Sequence, residues 1–229
     1  VKTAVEPKLE SGIYQIGTAE ELVWFAKKVN GGENALSAVL TSDIDLSEIN
    51  WTPIGGNTVK FGGIFDGAGH VIRNLSVDYA TKASGERVYL GLFGCVEGTK
   101  DAHAVIKNFT VSGSMTAKSD YSVYGGNIAG VVADGKYLDL SGVVSRVAVN
   151  ADENTGKACG VGGFAGVMVD CTVTDCGNEG NVSGVKNIGG FCYELYAGTM
   201  TGCYNTGSVT AAGTYVGGIM GYAKKATIQ

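Results

Sequence analysis

Six cysteines, two histidines and the three arginines Arg73, Arg87 and Arg146 are the side chains that most invite a chemical reading of this 229-residue chain. The cysteines are Cys95, Cys159, Cys171, Cys176, Cys192 and Cys203. An even count in an exported chain suits a disulfide framework. Yet Cys176 and Cys203 stand 27 residues apart in one column of the repeat described below. Side chains stacked in that way lie parallel, about 4.8 Å apart, where a disulfide prefers Cβ atoms about 3.8 Å apart. Buried free thiols acting as small hydrophobes are therefore expected. No CxxC pair occurs and the histidines are only His70 and His103, so neither a zinc site nor any other metal or cofactor is expected. Asp43 and Asp45 alternate on one strand and point to the same side, as calcium ligands would, but two carboxylates also describe a solvated strand face. Asp66 opens the turn DGAGH and reads as a turn residue. There is no HExxH and no GxSxG, and the acidic residues scatter among corners. A catalytic constellation is not expected.

The elements that position these groups follow from composition and spacing. Glycine supplies 37 of the 229 residues and proline only 2, while 45% of the chain is hydrophobic. Without a G-X-Y period, that excess fits many tight corners around a continuous core. The formal charge is −5, from 17 basic and 22 acidic residues, which argues against nucleic acid as a partner. Apolar runs such as Val88 to Val96 are far shorter than the roughly 20 residues of a membrane-spanning helix, so membrane insertion is not expected.

Near the start, residues 13–16 (IYQI) read as a strand. Thr18 and Glu21 then form a capping box, and Leu22, Phe25, Ala26 and Val29 fall on one face of a helix over 19–30 that Asn30-Gly31-Gly32 ends. Two recurring series follow. One runs through Ile72, Ile106, Val144, Val173 and Met200, each opening a strand. The other runs through LGLFG (90–94), GGNIAG (125–130), VGGFAG (161–166), IGGFCY (188–193) and VGGIMG (216–221), with its last three copies offset by 27 and 28. Two columns advancing together mark one structural unit per repeat. Strand-length segments parted by Gly and Asn-Gly corners leave no room for helices between them. The expected fold is all-β, a right-handed parallel β-helix (β-solenoid) with an N-terminal capping α-helix. A single domain over 1–229 is expected, with the cap in 1–35 and about six coils in 36–229, the last incomplete.

The stretches IYQIGTAEELVWFAKKVNGG, LTSDIDLSEINWTPIGG, FGGIFDGAGHVIRNLSV, GLFGCV and VGGFAG resemble the GLUG-repeat β-helix region of bacterial secreted and cell-surface proteins. Similar repeats accompany IgA-directed metallopeptidases. The resemblance spans about Gly12 to Gln229 and implies a secreted or wall-attached bacterial protein in which this region is a non-catalytic β-helix. Tyr193 in place of a closing glycine, and Asn127 at a glycine position of GGNIAG, depart from the pattern.

The function expected is that of a non-catalytic module of an exported surface protein, adhesive or for display, with a glycan or a host surface protein as partner. A carbohydrate-active β-helix enzyme, a polysaccharide lyase or glycosidase, is the alternative, and a purely structural stalk is the third reading. Early coils exceed the 27-residue unit, and the surplus in 79–87, 97–103, 116–124 and 133–139 should bulge outward. Tyr79, Tyr121, Tyr124 and Tyr137 there offer stacking faces for sugars beside Asp120 and Asp139. Leu22, Phe25 and Val29 should cover the first coil. Phe164, Phe191 and Ile219 should form one apolar column, and Asn178 with Asn205 an amide ladder. The C-terminal coil is expected to leave Ile219, Met220 and Ile228 for further repeats or a partner to cover.

Overall fold

A computed structural model describes residues 3–81, 87–119, 126–151 and 159–229. The chain is mostly β, with one helix among these residues and three sheets whose pairings are parallel except for the hairpin of Lys8–Glu10 with Ile13–Ile16. The third sheet holds Tyr89–Leu90, Asn127–Ala129, Gly160–Gly162, Ile188–Gly189 and Val216–Gly217. In the second sheet are Phe93–Glu97, Val132–Lys136, Ala165–Val169, Cys192–Tyr196 and Met220–Lys224. A 15-stranded first sheet carries the rest, including the long strands Val71–Thr81, Ala104–Ser119 and Leu138–Ala151. From Tyr89 onward the chain visits third, second and first sheet in that order, five times, and each segment pairs with the one a circuit earlier.

Register gives the repeat its physical form. Gly162 pairs with Gly189 and Gly189 with Gly217, while Ala165, Cys192 and Met220 form the matching row in the second sheet. Between these rows the chain turns inward a residue that recurs as Val131, Phe164 and Phe191, all fully buried. The backbone amides of Val131 and Phe164 donate to the carbonyls of Phe164 and Phe191. Ile219 holds the next place, since the Phe191 amide donates to its carbonyl, but it is 38% exposed because no described residues lie beyond it.

The helix Ala19–Asn30 begins at the capping box, with Thr18 and Glu21 each accepting from the other's backbone. It buries Leu22, Phe25 and Val29 completely. Phe25 packs 6.0 Å from Phe61 and 6.2 Å from Phe65, which in turn meet Phe93. The helix face thus closes over the aromatic start of the core, joined to the sheet on either side by Ile13–Ile16 and Ser37–Leu40.

Several expectations change. The strand-opening column is Ala38, Phe65, Ile106, Leu140, Val173, Met200 and Ile228. Ile72 pairs instead with Val111, and Val144 with Thr110 and Gly177, because early circuits are longer and similar triplets recur at two places within one strand. Asn127 pairs with Gly160 rather than Gly163, so the counterpart of VGGFAG is residues 128–133. Residues 133–139 form no outward bulge: Val132–Lys136 keeps regular register with Ala165–Val169. Tyr79 to Thr81 and Thr116 to Ser119 also continue paired strands, so this part of the surplus lengthens the first sheet. Residues 82–86 and 120–125 lie outside the described residues.

Candidate functional site

The first circuit after the helix is irregular, and that irregularity makes a cleft. Asn50 to Lys60 runs across the sheet ends with only isolated bridges: Asn50 with Ser76, Ile54 with Phe93 and Phe61 with Val96. The last two cover the edge of the second sheet, and the first joins the first sheet. Beside Tyr89–Leu90, the outermost strand of the third sheet, no described strand takes the equivalent place. A cleft of about 460 Å³ opens there, between the segment 50–59, the strand residues Val77 to Tyr79, and Arg87 to Leu90.

The wall is held from several sides. Asn30, the last residue of the helix, donates from Nδ2 to the Pro53 carbonyl at 3.0 Å and accepts from the Gly55 amide at 2.8 Å. Buried Trp51 donates from Nε1 to the Leu92 carbonyl at 3.0 Å. The Ile54 amide donates to the same carbonyl, and the Asn50 side chain accepts from the Asp78 amide. Gly55 has a φ of 76°, and a Cβ there would run into the Cys95 carbonyl, so this corner requires glycine. What faces the cleft is a set of amides, hydroxyls and rings: Asn50, Thr52, Asn57, Thr58, Tyr79 and Tyr89, with Asp78 and Arg87 as the charged groups. Planar amides and phenols beside one charge of each sign suit a ligand with many hydroxyls.

Two further depressions adjoin the cleft. One of about 500 Å³ lies between the helix and residues 48–52 and shares Asn30, Asn50, Trp51 and Thr52 with it. Another of about 410 Å³, at Gly32, Asn34, Lys60 and Glu97, shares Thr58 and Val59. Between them the three are lined by residues 48–60, apart from Ile54.

Below the cleft lies a partly buried charge cluster. Cys95 and Asp134 are paired residues of the second sheet, and Asn127 Nδ2 donates to Asp134 at 3.3 Å. Burial pushes the Asp134 carboxyl above its ordinary value, against the pull of Lys60. Burial also raises the Tyr89 phenol, with Cys95 and Asp134 adding to the shift and a hydrogen bond from Arg87 opposing it. The Cys95 thiol is pushed up to about 12, again by burial first, and Glu97 is held low by Lys60 and Lys136. A thiol so strongly protonated is a poor nucleophile.

Of the residues expected to bind ligand, Tyr79 lines the cleft. Tyr137 and Asp139 do not: they sit where the second sheet turns into the first, with Asp139 2.8 Å from His103 and Lys136 over the Tyr137 ring. Asp120, Tyr121 and Tyr124 lie outside the described residues. Asp43 is engaged by Arg73, His70 and the Val71 amide, and Asp45 by Asn74 and the Ser47 amide. Among the described residues no group of three or more His, Cys, Asp or Glu is placed to hold a metal ion, and all six cysteines are free thiols. Among the described residues no helix is long and apolar enough to cross a membrane. Asn178 is fully buried and donates to the Gly180 and Gly190 carbonyls and to Asn205 Oδ1 at 2.8 Å; Asn205 repeats the pattern on Gly207 and Gly218. Asn50, Asn57, Arg87 and Tyr89 were missed as site residues; the one signal available was the WTPIGGN loop, where Pro and paired Gly interrupt strand spacing.

No family model matches the chain. No curated protein matches it either. Among solved structures it is similar to the crystal structure of a "putative immunoglobulin A1 protease" from Bacteroides ovatus, with 16% identity and a TM-score of 0.50 over 96% of this chain and 76% of that one. At that identity the likeness concerns the fold alone.

Proposed function

We propose that this chain is a non-catalytic, glycan-binding module of an exported bacterial surface protein, built as a right-handed parallel β-helix of the GLUG-repeat kind. Cyclic passage through three parallel sheets supports the closed coil, since parallel strands joined in this way wind right-handed. One observation carries the binding role: the cleft of about 460 Å³ is lined by amides, hydroxyls and the phenols of Tyr79 and Tyr89, and two depressions share lining residues with it around residues 48–60, room for a chain of sugars. Exposed rings and amides recognise hydroxyl-rich ligands without a nucleophile or a base.

The test is a panel of host and bacterial oligosaccharides, with binding read by calorimetry and turnover by new reducing or unsaturated ends. Binding without turnover is the expected result. Turnover would favour the polysaccharide-enzyme reading, and a panel with no binder would leave the stalk. The name of the Bacteroides ovatus protein adds one control, incubation with immunoglobulin A1, in which the heavy chain should stay intact.

A further inference from the structure

Several basic side chains among the described residues are already committed. Arg73 pairs with Asp43 and Arg146 with Glu179; Lys28, Lys60, Lys107 and Lys136 pair with Glu33, Glu97, Asp66 and Glu97. Arg87 is the arginine without a carboxylate at ion-pair distance among the described residues, and it is the arginine that lines the cleft. It acts on the Tyr89 phenol beside it, and a guanidinium carries five N–H groups in a planar fork. Lys27, on the far side of Asn50 and Trp51 in the adjoining depression, likewise has no carboxylate partner among the described residues. Among the described residues two cations without an ion pair therefore stand in neighbouring depressions, Arg87 beside Asp78 and Lys27 beside Glu48, in a chain whose formal charge is −5.

We infer that the ligand of this groove is an acidic polysaccharide, with one sugar carboxylate bound by Arg87 in the cleft and another reached by Lys27 beyond Trp51. The inference rests on the glycan reading of the groove and narrows it. A guanidinium fork matches a carboxylate in two parallel bonds, which an ammonium does not, so Arg87 is the residue that selects for acid and Lys27 adds charge alone. Asp78 in the same cleft works against a second anion there and limits that subsite to one carboxylate.

Uronic- and sialic-acid oligosaccharides, each beside its methyl ester, make the test. The tightest acid should bind roughly tenfold or more above its ester, a difference that added salt reduces. R87Q should abolish the preference while R87K keeps part of it, and K27Q should weaken the acid two- to fivefold. Arg87 is exposed, so a melting scan should show R87Q folded like the parent. Equal binding of acid and ester, or a preference that survives R87Q, would overturn the inference while leaving a glycan-binding groove. Binding of neutral sugars alone would do the same. Failure of every acidic and neutral glycan would overturn both.

Discussion

The ring of Phe164 lies flat on that of Phe191, with centroids 4.5 Å apart and planes 9° from parallel. The separation is that of neighbouring strands, so the stack is the repeat itself expressed in side chains. Both rings are fully buried. Phe191→Ala should cost about 3 to 5 kcal/mol, read as a lower denaturation midpoint, because it leaves a ring-sized hole that flanking backbone cannot fill. Ile219→Ala, one circuit on and partly exposed, should cost well under half as much. Equal losses at the two positions would mean that the stack is not central to the core.

Asn178 offers a polar counterpart. Its Nδ2 serves the Gly180 and Gly190 carbonyls and Asn205 Oδ1, and a Cβ at Gly163 would collide with it. Asn178→Ala strands those carbonyls in a dry interior, and roughly 2 to 4 kcal/mol should be lost. Asn205→Ala, with its site half open, should lose less. A chemical denaturation series on the two variants decides the order.

Asp134 makes stability depend on pH in an unusual direction. Burial raises its folded-state value, so the folded protein holds the proton to higher pH than the unfolded chain does. Stability from this group is thus greatest below the ordinary carboxyl value of about 3.9 and falls as pH rises through the raised one. Asp134→Asn should raise the melting temperature at pH 7 and leave it nearly unchanged at pH 3. A lower melting temperature for the variant at pH 7 would mean that Lys60 outweighs burial.

Asn30 ties the helix to the cleft wall through Pro53 and Gly55. Asn30→Ala should cost only about 1 kcal/mol of stability, since one bond is exposed and the other only partly buried. Its effect on ligand affinity should be larger, several-fold, because the loop then has to be ordered on binding. Calorimetry beside a melting curve separates the two effects.

These residues also show how far the sequence could be read. The Asn178–Asn205 and Phe164–Phe191 relationships were legible because the last circuits repeat at 27 and 28 residues, and identical spacing forces identical environments. The helix 19–30 was legible from its caps and apolar face. Earlier circuits were not: Ile72 and Val144 look like strand openers, but long strands let the same triplet pattern occur at two heights, and pairing partners decide between them. The cleft was hidden for a related reason. It lies where no described strand pairs beside Tyr89–Leu90, and a missing neighbour leaves no trace in composition or period. Tyr79, picked for its position in surplus length, lines the cleft, whereas Tyr137, picked by the same argument, lies at a sheet corner.

Binding of a glycan around residues 48–60 is the central claim, and hydrogen exchange with and without the tightest oligosaccharide of the panel tests it most directly. The amides of 50–59 and 87–90 should slow on binding, while the second-sheet strands Ala165–Val169 and Cys192–Tyr196 stay unchanged. Protection confined to Tyr137–Asp139, to the C-terminal coil or to no segment at all would contradict it.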